Sequence, residues 1–123
     1  MTLREQLSDG WYKLLEPYLR SDEFKELGKF IRERRSGFNM NVYPAQEDIF
    51  KAFRLCKLED LKCVVVGYEP YGLQCDNGLS FGYNGDGPLP PKLAYIHQAY
   101  ENEIWKGLDL MFDYSLEDFA KKG

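Results

Sequence analysis

The chain has 123 residues and a formal net charge of −4, with 44 % hydrophobic, 15 % aromatic and 29 % charged residues. That length predicts one domain over residues 1–123, and the composition excludes a disordered chain. The acidic balance excludes a surface that coats nucleic acid generally, leaving room for a local basic rim, and the longest apolar run is far too short to span a membrane.

The charged start MTLREQLSDG lacks the apolar stretch of a secretory signal, so a cytoplasmic protein, or a nuclear one in a eukaryote, is expected. Cys56, Cys63 and Cys75 form no C-x-x-C pair and His97 is the single histidine, so neither a metal nor another cofactor is expected. An odd number of thiols suits a reducing compartment.

The elements divide into a helical part, 1–57, and a strand-loop-strand part followed by helices, 58–123. Leu7, Trp11, Leu14 and Leu15 recur at helical spacing, and Pro17 ends that helix or opens the next. Phe24, Leu27, Phe30 and Ile31 make a second stripe that stops near Ser36-Gly37, with the run Ile31 to Arg35 on its solvated side. Phe38 to Pro44 reads as an extended connector, and Ala45 to Leu55 places Ile49, Phe50 and Phe53 on one helical face. After the polar turn KLEDLK, Cys63 to Gly67 is a β-branched run bounded by glycine, the pattern of a buried strand in a parallel sheet. Leu79 to Tyr83 reads as a second strand and Asn84 to Pro91 as a loop. Leu93, Ile96, His97 and Tyr100 share a face of a further helix, where His97 is a packing or surface residue. Ser115-Leu-Glu-Asp118 has the shape of a capping box opening a last helix, which Lys121, Lys122 and Gly123 close. Two strands are too few for an independent sheet.

In open parallel sheets ligands lie beyond the carboxyl ends of the strands. Tyr68, Glu69, Pro70 and Tyr71 follow such an end directly. A carboxylate there can orient a water, act as a base or stabilise a developing cation. Pro70 biases Glu69 toward extended geometry, and the two tyrosines offer flat walls with polar tips. The same acidic turn can also serve structure alone.

VVVGYEPYG, then NGLSF, then PPKL, in that order, resembles the uracil-DNA glycosylase family. That family carries Gly-Gln-Asp-Pro-Tyr-His after its first strand, Gly-Leu-Ser/Ala-Phe in its second and Pro-Pro-Ser-Leu in the following loop. VYPAQEDIFKAF, LEDLKCVVVG and SLEDFAKKG agree with the flanking segments, and the likeness is clear from about Val42 onward. The resemblance implies an α/β fold of three layers with a parallel sheet, here cut to its first two strands. It implies that Glu69 stands for the catalytic aspartate, which positions water and stabilises the oxocarbenium-like sugar. Tyr71 stands for the tyrosine that crowds C5 of uracil, Phe81 for the residue stacked on the flipped base, and Tyr68 for the glutamine whose main chain lines the pocket. Pro90, Pro91 and Lys92 occupy the phosphate-gripping loop, with Lys92 in place of its serine. The implied substrate is uracil-containing DNA, whose base must leave the stack to be read.

The chain departs from the pattern at Glu69, which moves the carboxylate by about 1.5 Å relative to aspartate, and at Gly72 in place of the histidine. Its loop is one residue shorter than the common spacing. The asparagine that reads the uracil edge, the His-Pro-Ser loop and the apolar wedge have no counterpart, so the chain matches the N-terminal half and stops before the third strand. Alone it is expected to be a weak glycosylase or none, since one lost donor to developing charge costs about 10²–10³ in rate. Cys63 to Val66 would then be an open edge, which predicts self-association or a partner chain supplying the missing strands. The alternative reading is an inactive glycosylase-fold module that acts as a DNA- or polymerase-associated accessory.

Overall fold

The computed structural model describes residues 1–37, 41–105 and 111–123, so Phe38, Asn39 and Met40 of the expected connector lie outside the described residues. Helices α1 (Leu3–Leu7), α2 (Asp9–Leu19) and α3 (Asp22–Ser36) come first. A 3₁₀ turn (Gln46–Asp48), α4 (Lys51–Leu55) and a second 3₁₀ turn (Leu58–Asp60) follow. Then come α5 (Pro91–Tyr100), running on into a π turn (Glu101–Trp105), and α6 (Glu117–Lys121). Among the described residues no helix is long and apolar enough to cross a membrane.

Thr2 opens α1 with a full capping box: its hydroxyl accepts the Glu5 N–H and the Glu5 carboxylate accepts the Thr2 N–H at 2.6 Å. Ser8, at φ 63°, then breaks the chain, so Leu7 and Trp11 lie on two short helices and not on one stripe. Pro17 sits inside α2 instead of ending it; near the helix end it forgoes only a bond of the last turn. The second predicted helix is α3, capped by Ser21, whose hydroxyl accepts the Phe24 N–H at 3.2 Å. Arg35 is not solvated as expected: it turns back to the carbonyls of Val42 (3.1 Å) and Pro44 (2.7 Å), pinning the connector to α3. The predicted helix over 45–55 is the 3₁₀ turn plus the short α4.

Two clusters hold the molecule together. In the first, Leu7 is fully buried, Trp11 meets Phe53 edge-on at 5.1 Å, and the Trp11 indole N–H donates to the Cys56 carbonyl at 2.7 Å. In the second, Leu93 of α5 is fully buried, and Phe112 stacks on His97 at 4.5 Å and packs against Tyr100, Tyr114 and Phe119. Between them the buried Lys51 ammonium pairs with Glu117 at 2.7 Å and Asp48 at 3.5 Å, tying α4 to α6. Burial works against that charge, but the hydrogen bond to Glu117 and the two carboxylates outweigh it and raise the lysine above its ordinary range.

The two expected strands are not strands among the described residues. Cys63 to Val66 is outside any ladder, and Val64, Val65 and Val66 are 65 %, 60 % and 86 % exposed. The N–H groups of Lys62 and Cys63 both donate to the Gly123 carbonyl, at 3.0 and 3.1 Å, and pairing goes no further. Leu79 to Gly82 closes a turn instead, with the Gly82 N–H on the Leu79 carbonyl at 3.0 Å and Phe81 at φ 65°, a value no strand tolerates. Tyr83 alone pairs, with Asp76, in an isolated antiparallel bridge. β-branched residues favour a strand only where neighbours complete the ladder. The expected Ser115–Asp118 box also differs. Leu116 takes the cap position at φ 60°, Ser115 accepts the Glu117 N–H at 3.2 Å, and Asp113 accepts the Asp118 N–H at 3.0 Å.

Candidate active-site cleft

The residues singled out in the sequence line one open cleft of about 570 Å³, a size suited to a small-molecule or nucleobase ligand. Its walls include Glu69, Tyr71, Phe81 and Lys92, with Pro44 and Ile49 closing the side toward α4. Tyr68, Pro90 and Pro91 lie on it too, so each predicted site residue belongs to the same concavity.

Glu69 is carried on an arm, residues 64–70, that no ladder supports. The arm is held from below by Ser80, whose hydroxyl donates to the Val65 carbonyl and accepts the Gly67 N–H, both at 3.2 Å. Past Pro70 the chain is gripped by Asp76. One carboxylate oxygen accepts the Tyr71 N–H at 2.8 Å, and the other accepts those of Gly72 at 2.8 Å and Leu73 at 3.0 Å. Gly72 stands at φ 74°, a left-handed turn with no side chain to strain, which lets successive N–H groups converge on one anion. Glu69 itself is exposed and has no hydrogen-bond or ion-pair partner among the described residues, so its carboxylate is free to meet a water or a ligand.

Tyr71 is half-buried, and its hydroxyl donates to the Phe81 carbonyl at 2.8 Å across the cleft floor. Burial, followed by the nearby charges of Cys75 and Asp76, pushes the phenol up from its ordinary value, so it stays a proton donor. Phe81 is held at φ 65°, an unusual conformation for a bulky residue and one that costs about 1–2 kcal/mol. The Tyr71 bond and the Leu79–Gly82 turn keep it there. Tyr68 is 94 % exposed and lies on the cleft wall. Pro90 and Pro91 start α5, and Lys92 stands exposed in its first turn, where unpaired N–H groups and the positive end of the helix favour an anion. His97 lies away from the cleft lining. Its Nδ1 meets the Tyr114 hydroxyl at 3.1 Å and its Nε2 the Glu101 carboxylate at 2.9 Å, which makes it a packing residue.

Reasoning from sequence missed the residues that hold the cleft open. Asp76 is one. Asn77, 1 % exposed, is another: it donates to the Ser115 carbonyl at 2.9 Å and to Asn84 at 3.2 Å, and accepts the Leu79 N–H at 3.1 Å. Gly78 is the third; at φ 83° it lets the turn pass so close to Asp48 that a Cβ would lie 2.0 Å from that carbonyl oxygen. The signal was present as Asp76-Asn77-Gly78, a run of residues that bond local backbone and accept left-handed turns.

The chain is similar to bacterial uracil-DNA glycosylases. It is 33 % identical to the uracil-DNA glycosylase of Lactobacillus helveticus over 102 residues, 82 % of this chain and 43 % of that protein. It is 37 % identical to uracil-DNA glycosylase 1 of Listeria innocua over 95 residues, 76 % and 42 % of the two chains. With the uracil-DNA glycosylase of Bacteroides thetaiotaomicron it shares 31 % identity over 119 residues, 96 % of this chain and 52 % of the relative. The chain thus spans about half the length of the curated relatives it matches. No protein-family model matches it.

Proposed function

We propose that this relative of the uracil-DNA glycosylases carries the water-positioning and base-stacking half of a uracil pocket, and hydrolyses the N-glycosidic bond of flipped-out uracil in DNA once the other half is supplied. The observation that carries this reading is the convergence of Glu69, Tyr71, Phe81 and Lys92 on one cleft. In it Glu69 directs a water and stabilises the cationic sugar, while Phe81 stacks on the base, a contact worth roughly 1–3 kcal/mol. Tyr71, fixed through its hydroxyl, sets the room left at C5 of the base, and the main chain at Tyr68 closes the wall. Pro90, Pro91 and Lys92 at the start of α5 grip the flanking phosphate. A cytoplasmic setting suits the free thiols of Cys56, Cys63 and Cys75. The parallel sheet of the glycosylase fold forms, on this reading, when the exposed Val64–Val66 edge meets the complementing strands, whether from a partner chain or a second copy. Sedimentation as a monodisperse monomer at all concentrations would count against association by the chain alone.

The test mixes the chain with the C-terminal half of a full-length relative and follows uracil release from a deoxyuridine-containing oligonucleotide. Release by the mixture, abolished by Glu69→Gln, is the expected result; a folded mixture that releases nothing sinks the enzymatic reading. The exposed Glu69 carboxylate, without a hydrogen-bond or ion-pair partner among the described residues, favours a second reading, a glycosylase-fold binding module without catalysis. That module would bind the oligonucleotide or a replication partner equally well with Glu69→Gln.

A further inference from the structure

We propose that Asp76 is the positioning residue of the cleft, holding the Glu69–Tyr71 turn in its working orientation through main-chain hydrogen bonds; this rests on the glycosylase reading above. The arm that bears Glu69 has no ladder among the described residues, and there its direction is set by Ser80 on its near side and Asp76 on its far side. Asp76 is the stronger. It is 9 % exposed, uses both oxygens, and receives three consecutive N–H groups at 2.8, 2.8 and 3.0 Å. Such charge-assisted bonds are about twice as strong as neutral ones. Asp76 is itself fixed by its bridge to Tyr83 and by its own N–H on the Leu73 carbonyl at 3.0 Å. The clamp therefore couples the turn after Glu69-Pro70 to the turn that carries Phe81, and Tyr71 closes the same loop through its hydroxyl on the Phe81 carbonyl. Carboxylate and stacking ring move as one unit because Asp76 joins them. With a glutamate in place of the family's aspartate, that direction decides where the longer side chain delivers its oxygens.

The substitution Asp76→Asn keeps the size and replaces one acceptor oxygen with an N–H₂ group that faces N–H groups. In the 123-residue chain, hydrogen exchange followed by NMR is expected to find the Tyr71, Gly72 and Leu73 amides protected, although they lie outside helices. Asp76→Asn should speed exchange at the Tyr71 amide or at the Gly72 and Leu73 pair, whichever faces the new N–H₂ group, and leave the α5 amides unchanged. In the complemented protein, Asp76→Asn should lower kcat by about 10–100-fold, the scale of a misplacement near 1 Å. KM for the oligonucleotide should change less than kcat, since the clamp acts on the turn through its main chain. Asp76→Glu, which keeps the carboxylate, should recover part of that kcat. Unprotected amides in the wild-type chain overturn the clamp even if Asp76→Asn fails to fold. Wild-type kcat in a variant whose amides are released overturns the positioning role. Absence of release from the wild-type mixture overturns the glycosylase reading, and this role with it, while the amides still report on the clamp.

Discussion

Residues 63–69 and residues 71–84 run along the same cleft and are held in opposite ways. The first segment is a β-prone, apolar stretch, yet Val64, Val65 and Val66 stand 60–86 % exposed, and among the described residues the Ser80 hydroxyl and, at Cys63, the Gly123 carbonyl tie it down. The second is glycine-rich and polar, yet it contains the buried Asp76 and Asn77, each with three hydrogen bonds to its surroundings or more. Apolar character promises burial only if a surface is present to cover it, and roughly 1.5–3 kcal/mol per valine stays unrealised without one. Polar side chains that find main-chain partners within a few residues need no such surface. The glycine-rich wall of the cleft is thus held by its own local hydrogen bonds, whereas the arm that carries Glu69 is exposed and lightly held.

The sharpest way to break the contrast is at Gly78. Alanine there would put a Cβ 2.0 Å from the Asp48 carbonyl oxygen at a residue already at φ 83°. Backbone cannot swing aside as a flexible side chain would, so overpacking and left-handed strain act together. We expect Gly78→Ala to lower stability by about 3 kcal/mol or more, seen as a fall in the urea midpoint. An unchanged midpoint would mean that the 71–84 wall does not rest on the Gln46–Asp48 turn.

The same contrast explains what was legible in the sequence. Helix α3 and helix α5 follow from spaced apolar residues, because an amphipathic stripe and a cap are local properties. The placement of Glu69, Tyr71, Phe81 and Lys92 around one cleft was legible because three short motifs kept their order and approximate spacing. The expected strands are absent among the described residues because strand formation depends on what lies alongside, and there Cys63–Val66 meets the Gly123 carbonyl and the Ser80 hydroxyl but no neighbouring strand. The Ser115 cap was misassigned by one partner, since Asp113 reaches forward five residues to the Asp118 N–H through a left-handed Leu116. The order Asp76-Asn77-Gly78 signals a turn, but nothing in it says that the Asp76 and Asn77 side chains are buried.

A smaller effect isolates the arm. Ser80→Ala removes the acceptor of the Gly67 N–H and the donor to the Val65 carbonyl. About 1 kcal/mol is at stake for such bonds at a half-exposed site. The loss should stay local: the Gly67 amide should exchange near the rate of an unstructured chain while the urea midpoint barely moves. A midpoint that falls as far as in Gly78→Ala would show that residues 63–69 are integrated as firmly as the opposite wall.

The smallest expected effect is a pH dependence on the polar side of the comparison. Burial by itself would raise the Asp113 carboxyl, but it accepts the Ser115 hydroxyl at 2.6 Å together with the N–H groups of Asp118 and Ser115. These bonds to the charged form win, and the group titrates below the ordinary aspartate range. With the folded-state value depressed, the unfolded chain binds the proton first as acid is added. The stability contributed by Asp113 is therefore complete above the ordinary aspartate range, near pH 4, and is lost as pH falls through the lower folded value. Asp113→Asn should flatten that part of the acid limb in urea midpoints measured from about pH 5 down to about pH 2, because its amide does not titrate. It should also free the first turn of α6, since Asp113 is what the Asp118 N–H donates to. An acid limb identical in the two proteins would mean that the carboxylate is solvated in solution, and that the firmness of this side rests on Asp76 and Asn77 without help from the α6 cap.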